Sequence, residues 1–221
     1  MSAPLGYDLT VQQLIPGYAS LARLAVALLA ASPLASRSGA PVLVAGCGTG
    51  AELVEARSQR PDWQLWAIDP SAEMLAAAQQ RLAASAEIHW QQTTVEDLEA
   101  EAMFAGALSV LVLQSLPDDG TKLAFLTALA RSLEPGGQLV LVDLMAPERS
   151  PLQAQVAAAW LGFQRASGLK ADAADLEPLT HGLHPIGEAR LTALVNAAGF
   201  GDPARIFQAL GYEGFLLQRQ R

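Results

Sequence analysis

The residues most able to do chemistry lie at Gly46-Cys47-Gly48-Thr49-Gly50, followed about twenty positions later by Asp69. Glycines at 46, 48 and 50 let backbone amides approach a ligand closely where an apolar run turns into a helix. With Ala51 the run also satisfies G-x-G-x-x-G/A, the dinucleotide fingerprint. Asp69 is placed to hold ribose hydroxyls whichever nucleotide binds. Three further residues are candidates for proton transfer. Asp143 closes an apolar run, and His181 and His184 fall in an irregular stretch and titrate near neutrality. The histidine spacing alone does not make a metal site, because no third ligand accompanies it. Cys47, the single cysteine, excludes a disulfide framework and reads as a small filler of the loop.

The elements that must position these groups follow from apolar patterning. Residues 42–45 form a continuous apolar run, the mark of a strand buried on both faces, and 51–57 are helical. Residues 65–68 form a second strand ending at Asp69-Pro70. Ser71 caps a helix with a stripe of Met74, Leu75, Ala78 and Leu82. Residues 87–91 and 107–113 read as the third and fourth strands. A helix striped by Leu126, Ala130 and Leu133 is stopped by Pro135-Gly136-Gly137, which launches a strand over 139–142. Leu14, Tyr18, Leu21, Ala25 and Leu28 recur at helical spacing and predict one amphipathic helix near the start. Leu152, Val156, Trp160 and Phe163 stripe a long helix whose apolar face belongs to the core. A helix over 191–198 ends at Gly199, and strands over 204–209 and 214–218 are joined by the turn 211–213. The resulting fold class is α/β: a Rossmann-like, doubly wound, seven-stranded sheet, mostly parallel with an antiparallel last strand, and helices on both faces. One domain spans 1–221, with an N-terminal helical lid segment over 1–38 and a helical insertion over 147–185.

Composition narrows the function. With 14 basic and 22 acidic residues the net charge is −8, so direct nucleic-acid binding is not expected. The apolar stretch 19–35 contains Arg23 and is too short for a span, so membrane association is not expected either, and a cytoplasmic location is.

Val-Leu-Val-Ala-Gly-Cys-Gly-Thr-Gly, then Ala-Ile-Asp-Pro-Ser-Ala-Glu-Met-Leu, then Leu133-Glu134-Pro135-Gly136-Gly137, together resemble the class I S-adenosylmethionine (SAM)-dependent methyltransferases. Ile15-Pro16-Gly17-Tyr18, Leu113-Gln114-Ser115-Leu116, the run Phe163 to Gly168 and Ala197-Ala198-Gly199-Phe200 are similar to the carboxy-SAM synthase branch. The resemblance implies that SAM or S-adenosylhomocysteine binds against Tyr18, Gly46, Cys47, Gly48 and Gly50. It further implies that Asp69 holds the ribose, Pro70 and Met74 flank the adenine, and Thr94, Val95 and Val110 complete the pocket. The chain departs from that pattern in three places. Val44 stands where an acid is usual, Thr94 replaces the adenine-edge acid with Glu96 and Asp97 as substitutes, and no Lys or Arg lies between Lys170 and Arg190. The last departure leaves an added carboxylate uncompensated, so ordinary methyl transfer to a small-molecule acceptor is the expected activity. Carboxy-SAM synthesis and SAM binding without catalysis remain the alternatives, and a homodimer is the expected assembly.

Overall fold

The computed structural model describes residues 4–82, 88–147, 150–169 and 182–220. In chain order these form α1 (Pro4–Leu14), α2 (Tyr18–Ala30), β1 (Pro41–Ala45), α3 (Ala51–Gln59), β2 (Gln64–Ile68), α4 (Ala72–Arg81) and β3 (Ile88–Gln91). There follow β4 (Phe104–Val110), a 3-10 turn at Leu113–Ser115, α5 (Thr121–Ser132), β5 (Leu133–Leu144), α6 (Gln153–Ala166), α7 (Glu188–Ala198), β6 (Ala204–Ala209) and β7 (Tyr212–Gln218).

The strands make one seven-stranded sheet in the order β3-β2-β1-β4-β5-β7-β6, parallel from β3 to β5. β7 runs antiparallel to both β5 and β6. Alternate side chains of the buried strands feed two separate cores. Val42 and Val44 of β1, with Val140 and Val142 of β5, pack beneath α2, α3 and α4. Leu43, Ala45, Leu139 and Leu141 pack beneath α5 and α7. Continuous apolar runs are required because each strand is covered on both faces.

The sheet differs from the sequence reading in instructive ways. β4 begins at Phe104 rather than 107 and stops at Val110, because Leu111 takes a positive φ of 61° and turns the chain out of the sheet. β5 starts at Leu133, directly after α5, and carries Pro135-Gly136-Gly137 within it. Its register against β4 shifts between Phe104 and Gly106, where partners move from Leu133 to Gln138. That bulge absorbs the proline, which has no amide for the ladder. It also puts Ala105 and Gly106 on the same face of β4. The β6–β7 turn is tighter than expected: Ala209 pairs with Tyr212, leaving only Leu210 and Gly211 between.

The single N-terminal helix of the sequence reading is two. Leu14 ends α1, Ile15-Pro16-Gly17 breaks the chain, and α2 sets off at 93° to the segment Gly6–Leu14. Gly17, at φ 82°, makes the corner. Among the described residues no single helix is long and apolar enough to cross a membrane, although this bent pair would pass by length and composition. α6 also departs from expectation. Leu152 and Val156 are 60% and 45% exposed, so only its later residues, Trp160 and Leu161 among them, reach a core.

A Cβ on Gly106 would meet Leu29 Cδ1 at 2.5 Å and the Gln138 carbonyl at 3.2 Å, so α2 sits too close to β4 for any side chain there. We expect Gly106→Ala to destabilise the protein by about 1–3 kcal/mol through overpacking. The double variant with Leu29→Ala should cost clearly less than the sum of the two single changes. Urea unfolding midpoints check this, and simple additivity would refute the close approach.

Candidate active site at the carboxyl edge of the sheet

The loop between β1 and α3 lies at the carboxyl edge of the sheet, where α/β proteins place ligands. Its three glycines answer three different needs. Gly46 has φ 71°, and a Cβ there would strike Val112 Cγ2, so it lets the loop lie against the end of β4. Gly50, at φ 86°, would bring a Cβ within 3.2 Å of both Ala78 and Leu82, so it lets α3 start against α4. At Gly48, with φ 50°, no heavy atom of the described residues beyond its chain neighbours lies within 4 Å of the Cβ position.

Asp69, at the end of β2, ties this loop to the next one. One carboxylate oxygen accepts the Gly48 amide at 2.9 Å and the other accepts the Ser71 amide at 2.9 Å. Ser71 in turn caps α4, its hydroxyl accepting the Met74 amide at 3.3 Å. The carboxylate is 8% exposed. Two amide bonds leave it further lone pairs for ribose hydroxyls.

Beside the loop is a tight cavity of about 30 Å³, bounded by Tyr7 of α1, Tyr18 of α2, residues 46–49, Ala51, Glu52 and the strand end Val110-Leu111. Cys47, 2% exposed, has its thiol pushed up to about 12, first by burial and then by Asp69 and Glu52. It is therefore a neutral filler and no nucleophile at ordinary pH. Burial also raises the phenols of Tyr7 and Tyr18, with Glu52 the next contributor in each. Glu52 itself is 6% exposed. Burial pushes its carboxyl up to about 7, assisted by Asp8 and opposed by its own backbone amide and by Arg81.

The N-terminal helix α1 crosses this site. Asp8 accepts a hydrogen bond from the Thr49 hydroxyl and one from Arg81 at 2.7 Å, joining α1 to the glycine loop and to α4. α6 packs on α1 in turn, with the Trp160 indole donating to the Leu14 carbonyl at 2.7 Å. Gln164, one turn further along α6, is 2% exposed, and among the described residues neither polar atom of its amide has a hydrogen-bond partner.

The remaining sequence candidates divide. Val110 is half-buried and borders the cavity. Met74 is half-buried and Pro70 exposed at the start of α4. The Thr94 hydroxyl donates to Asp97 at 3.0 Å, which engages that substitute acid locally. Val95 is 2% exposed with its side chain in the core beneath α5, so only its backbone can face a ligand. Asp143 is turned inward rather than towards the cavity. At 3% exposure, one of its oxygens accepts the Gln114 amide at 3.0 Å, and the carboxyl pins the 3-10 turn after β4. Burial raises it to about 7 despite the Gln114 amide and Lys122. The Lys122 ammonium donates to the Leu113 carbonyl. His184 is exposed, its amide donating to the Gln114 carbonyl at 2.6 Å, and His181 lies outside the described residues. Sequence reasoning missed Glu52, Asp8 and Thr49. An acid in the first turn of a helix ordinarily reads as a dipole complement, and nothing local shows that α1 folds back over it.

Comparison with known proteins adds to this geometry. Residues 42–137 match the family model of a methyltransferase domain. An uncharacterized protein of Synechococcus sp. is 39% identical over 102 residues, which cover 44% of this chain and 24% of that protein. The chain thus aligns with about a quarter of the curated relative's length. Among solved structures, a "possible exported protein" from Bordetella parapertussis superposes with a TM-score of 0.75 at 21% identity, covering 100% of this chain and 80% of that one. Human N-acetylserotonin methyltransferase in complex with SAM gives 0.65 at 18% identity, covering 97% and 55%. Phosphoethanolamine N-methyltransferase 2 of Haemonchus contortus gives 0.68 at 13% identity, covering 99% and 58%. The fold is that of the Rossmann-like methyltransferases.

Glu52 and Asp143 give the site a pH signature. Both hold their protons up to about pH 7 in the folded protein, against about 4 in an unfolded chain. The folded state therefore binds more protons between these values, and stability falls as pH rises through that window. The loss is at most on the order of 3–4 kcal/mol per group. Glu52→Gln and Asp143→Asn should each flatten the decline seen by urea unfolding between about pH 4 and 8. Identical slopes in wild type and both variants would show that the groups titrate normally.

Proposed function

We propose that this protein is a SAM-dependent methyltransferase acting on a small-molecule acceptor. The observation that carries the reading is the convergence of the Gly48 amide edge and the Asp69 carboxylate at the ends of β1 and β2. Both lie within the segment matching a methyltransferase domain. The residues present suit a nucleoside sulfonium: Gly48 is uncrowded among the described residues, Asp69 retains acceptor capacity, and Val110 offers an apolar wall.

Bound SAM supplies a methyl group already activated on sulfur. The chain's task is then to align the acceptor, exclude water and, for an oxygen or nitrogen acceptor, take a proton. α1 and α6 provide the cover, through the Asp8 bridge and the Trp160 bond. Asp143, held on the turn amides, serves the architecture of the site. The small acceptor is supported by the acidic surface charge and by neighbours whose names specify small substrates.

Plain SAM is favoured over a carboxylated sulfonium by electrostatics. Asp8 and Asp69 flank the glycine loop, the buried Glu52 beside them keeps its proton up to about pH 7, and the nearby Arg81 is already paired with Asp8. A further carboxylate would be desolvated among like charges. We therefore expect calorimetry to show SAM binding at least as tightly as carboxy-SAM, with no carboxy-SAM formed from SAM and prephenate. Asp69→Ala should weaken SAM by about 1.5–3 kcal/mol. Unchanged affinity would remove Asp69 from the site, and NADH binding without SAM binding would overturn the reading. Hydrogen exchange should slow in α1 and α6 when S-adenosylhomocysteine is added. Protection confined to the glycine loop would argue against the cover.

A further inference from the structure

The position two residues before the first loop glycine holds Val44, which is 2% exposed and packed beneath α2 and α3. It can offer a cation nothing. Yet the cavity at the loop contains a carboxylate, that of Glu52, buried to the same degree as the core around it. Glu52 comes from the first turn of α3, on the far side of the glycine loop from β1. It faces Tyr7 and Asp8 from α1, Tyr18 from α2, Cys47 from the loop and Arg81 from α4.

Two properties of the cavity restrict what can pair with that carboxylate. Its volume of about 30 Å³ holds one water-sized group and no nucleoside. It also lies between the glycine loop and the end of β4, whereas Asp69 reaches the loop from β2. A ligand whose ribose lies on Asp69 therefore presents its non-nucleoside end here. At that end SAM carries two cations. The sulfonium has no hydrogen to donate, and a buried carboxylate needs donated hydrogen bonds to offset its desolvation. The ammonium is compact and has three donors.

Resting on the reading of the site as a SAM site, we propose that Glu52 is the positioning residue that anchors the α-ammonium of SAM. It reaches the pocket from the first turn of α3. The tyrosines Tyr7 and Tyr18 close the pocket around that group.

Calorimetry with three probes tests this: SAM, S-adenosylhomocysteine, and 5′-methylthioadenosine, which lacks the amino-acid part. Glu52→Gln should weaken SAM and S-adenosylhomocysteine alike by about 10–150-fold, and leave methylthioadenosine within about two-fold. In the wild-type protein, S-adenosylhomocysteine lacking only its α-amino group should bind at least about 10-fold more weakly than the parent compound. This second measurement stands even if the variant fails to fold. Unchanged S-adenosylhomocysteine affinity in Glu52→Gln would overturn the assignment. So would loss confined to SAM, which would turn Glu52 towards the sulfonium, or equal loss of all three probes. A wild-type protein that binds none of the probes would instead sink the SAM reading itself.

Discussion

One carboxylate holds the working edge of this molecule together. Asp69 accepts amides from Gly48 and Ser71, and so fixes the loop after β1 and the start of α4 to the tip of β2. Buried hydrogen bonds to a charged group are among the stronger polar terms available to a protein. Here they add to the Gly46 and Cys47 amides, which both donate to the Ile68 carbonyl at 2.9 Å. With the loop fixed, Gly50 can start α3 against Ala78 and Leu82, and Gly46 can lie on Val112. Glu52 is then carried into the cavity by the first turn of α3.

The same economy recurs one strand away. Asp143, at the end of β5, binds the Gln114 amide, while the Gln114 side chain accepts the Leu144 amide at 2.8 Å. The Gln114 carbonyl takes the His184 amide. One turn after β4 is thus joined both to β5 and to the segment leading into α7. Carboxylates at strand ends serve as clamps here because loops leave backbone amides unpaired, and buried amides need acceptors.

The surroundings of the site are anionic and covered by helices. Asp8, Glu52 and Asp69 all bear on Tyr7. Such a setting raises the cost of burying another anion and favours a cationic ligand. It also explains why Cys47, central in the loop, is chemically quiet: burial and two carboxylates hold its thiol up to about 12.

The parallel sheet, the glycine loop, the Ser71 cap, the Gly199 helix stop and the antiparallel finish were legible in the sequence, because each depends on local chemistry or on continuous apolar runs. The 93° break at Ile15-Pro16-Gly17 was signalled by its proline and glycine, yet the apolar spacing ran through it unbroken. Other features had no local signal. The bulge in β5 that accommodates Pro135-Gly136-Gly137 depends on a partner strand. The exposure of Leu152 and Val156 depends on what α6 packs against, since a helical stripe names a face but not its neighbour. Asp143 and Glu52 show the limit best. Both are acids at the edges of elements, and by type alone the first resembles a base and the second a dipole complement. Tertiary packing reverses those appearances: it turns Asp143 onto backbone amides, and it folds α1 over Glu52 to bury it beside the glycine loop. Residue type and spacing set which elements form, but the burial that decides a carboxylate's task is created only when distant segments meet.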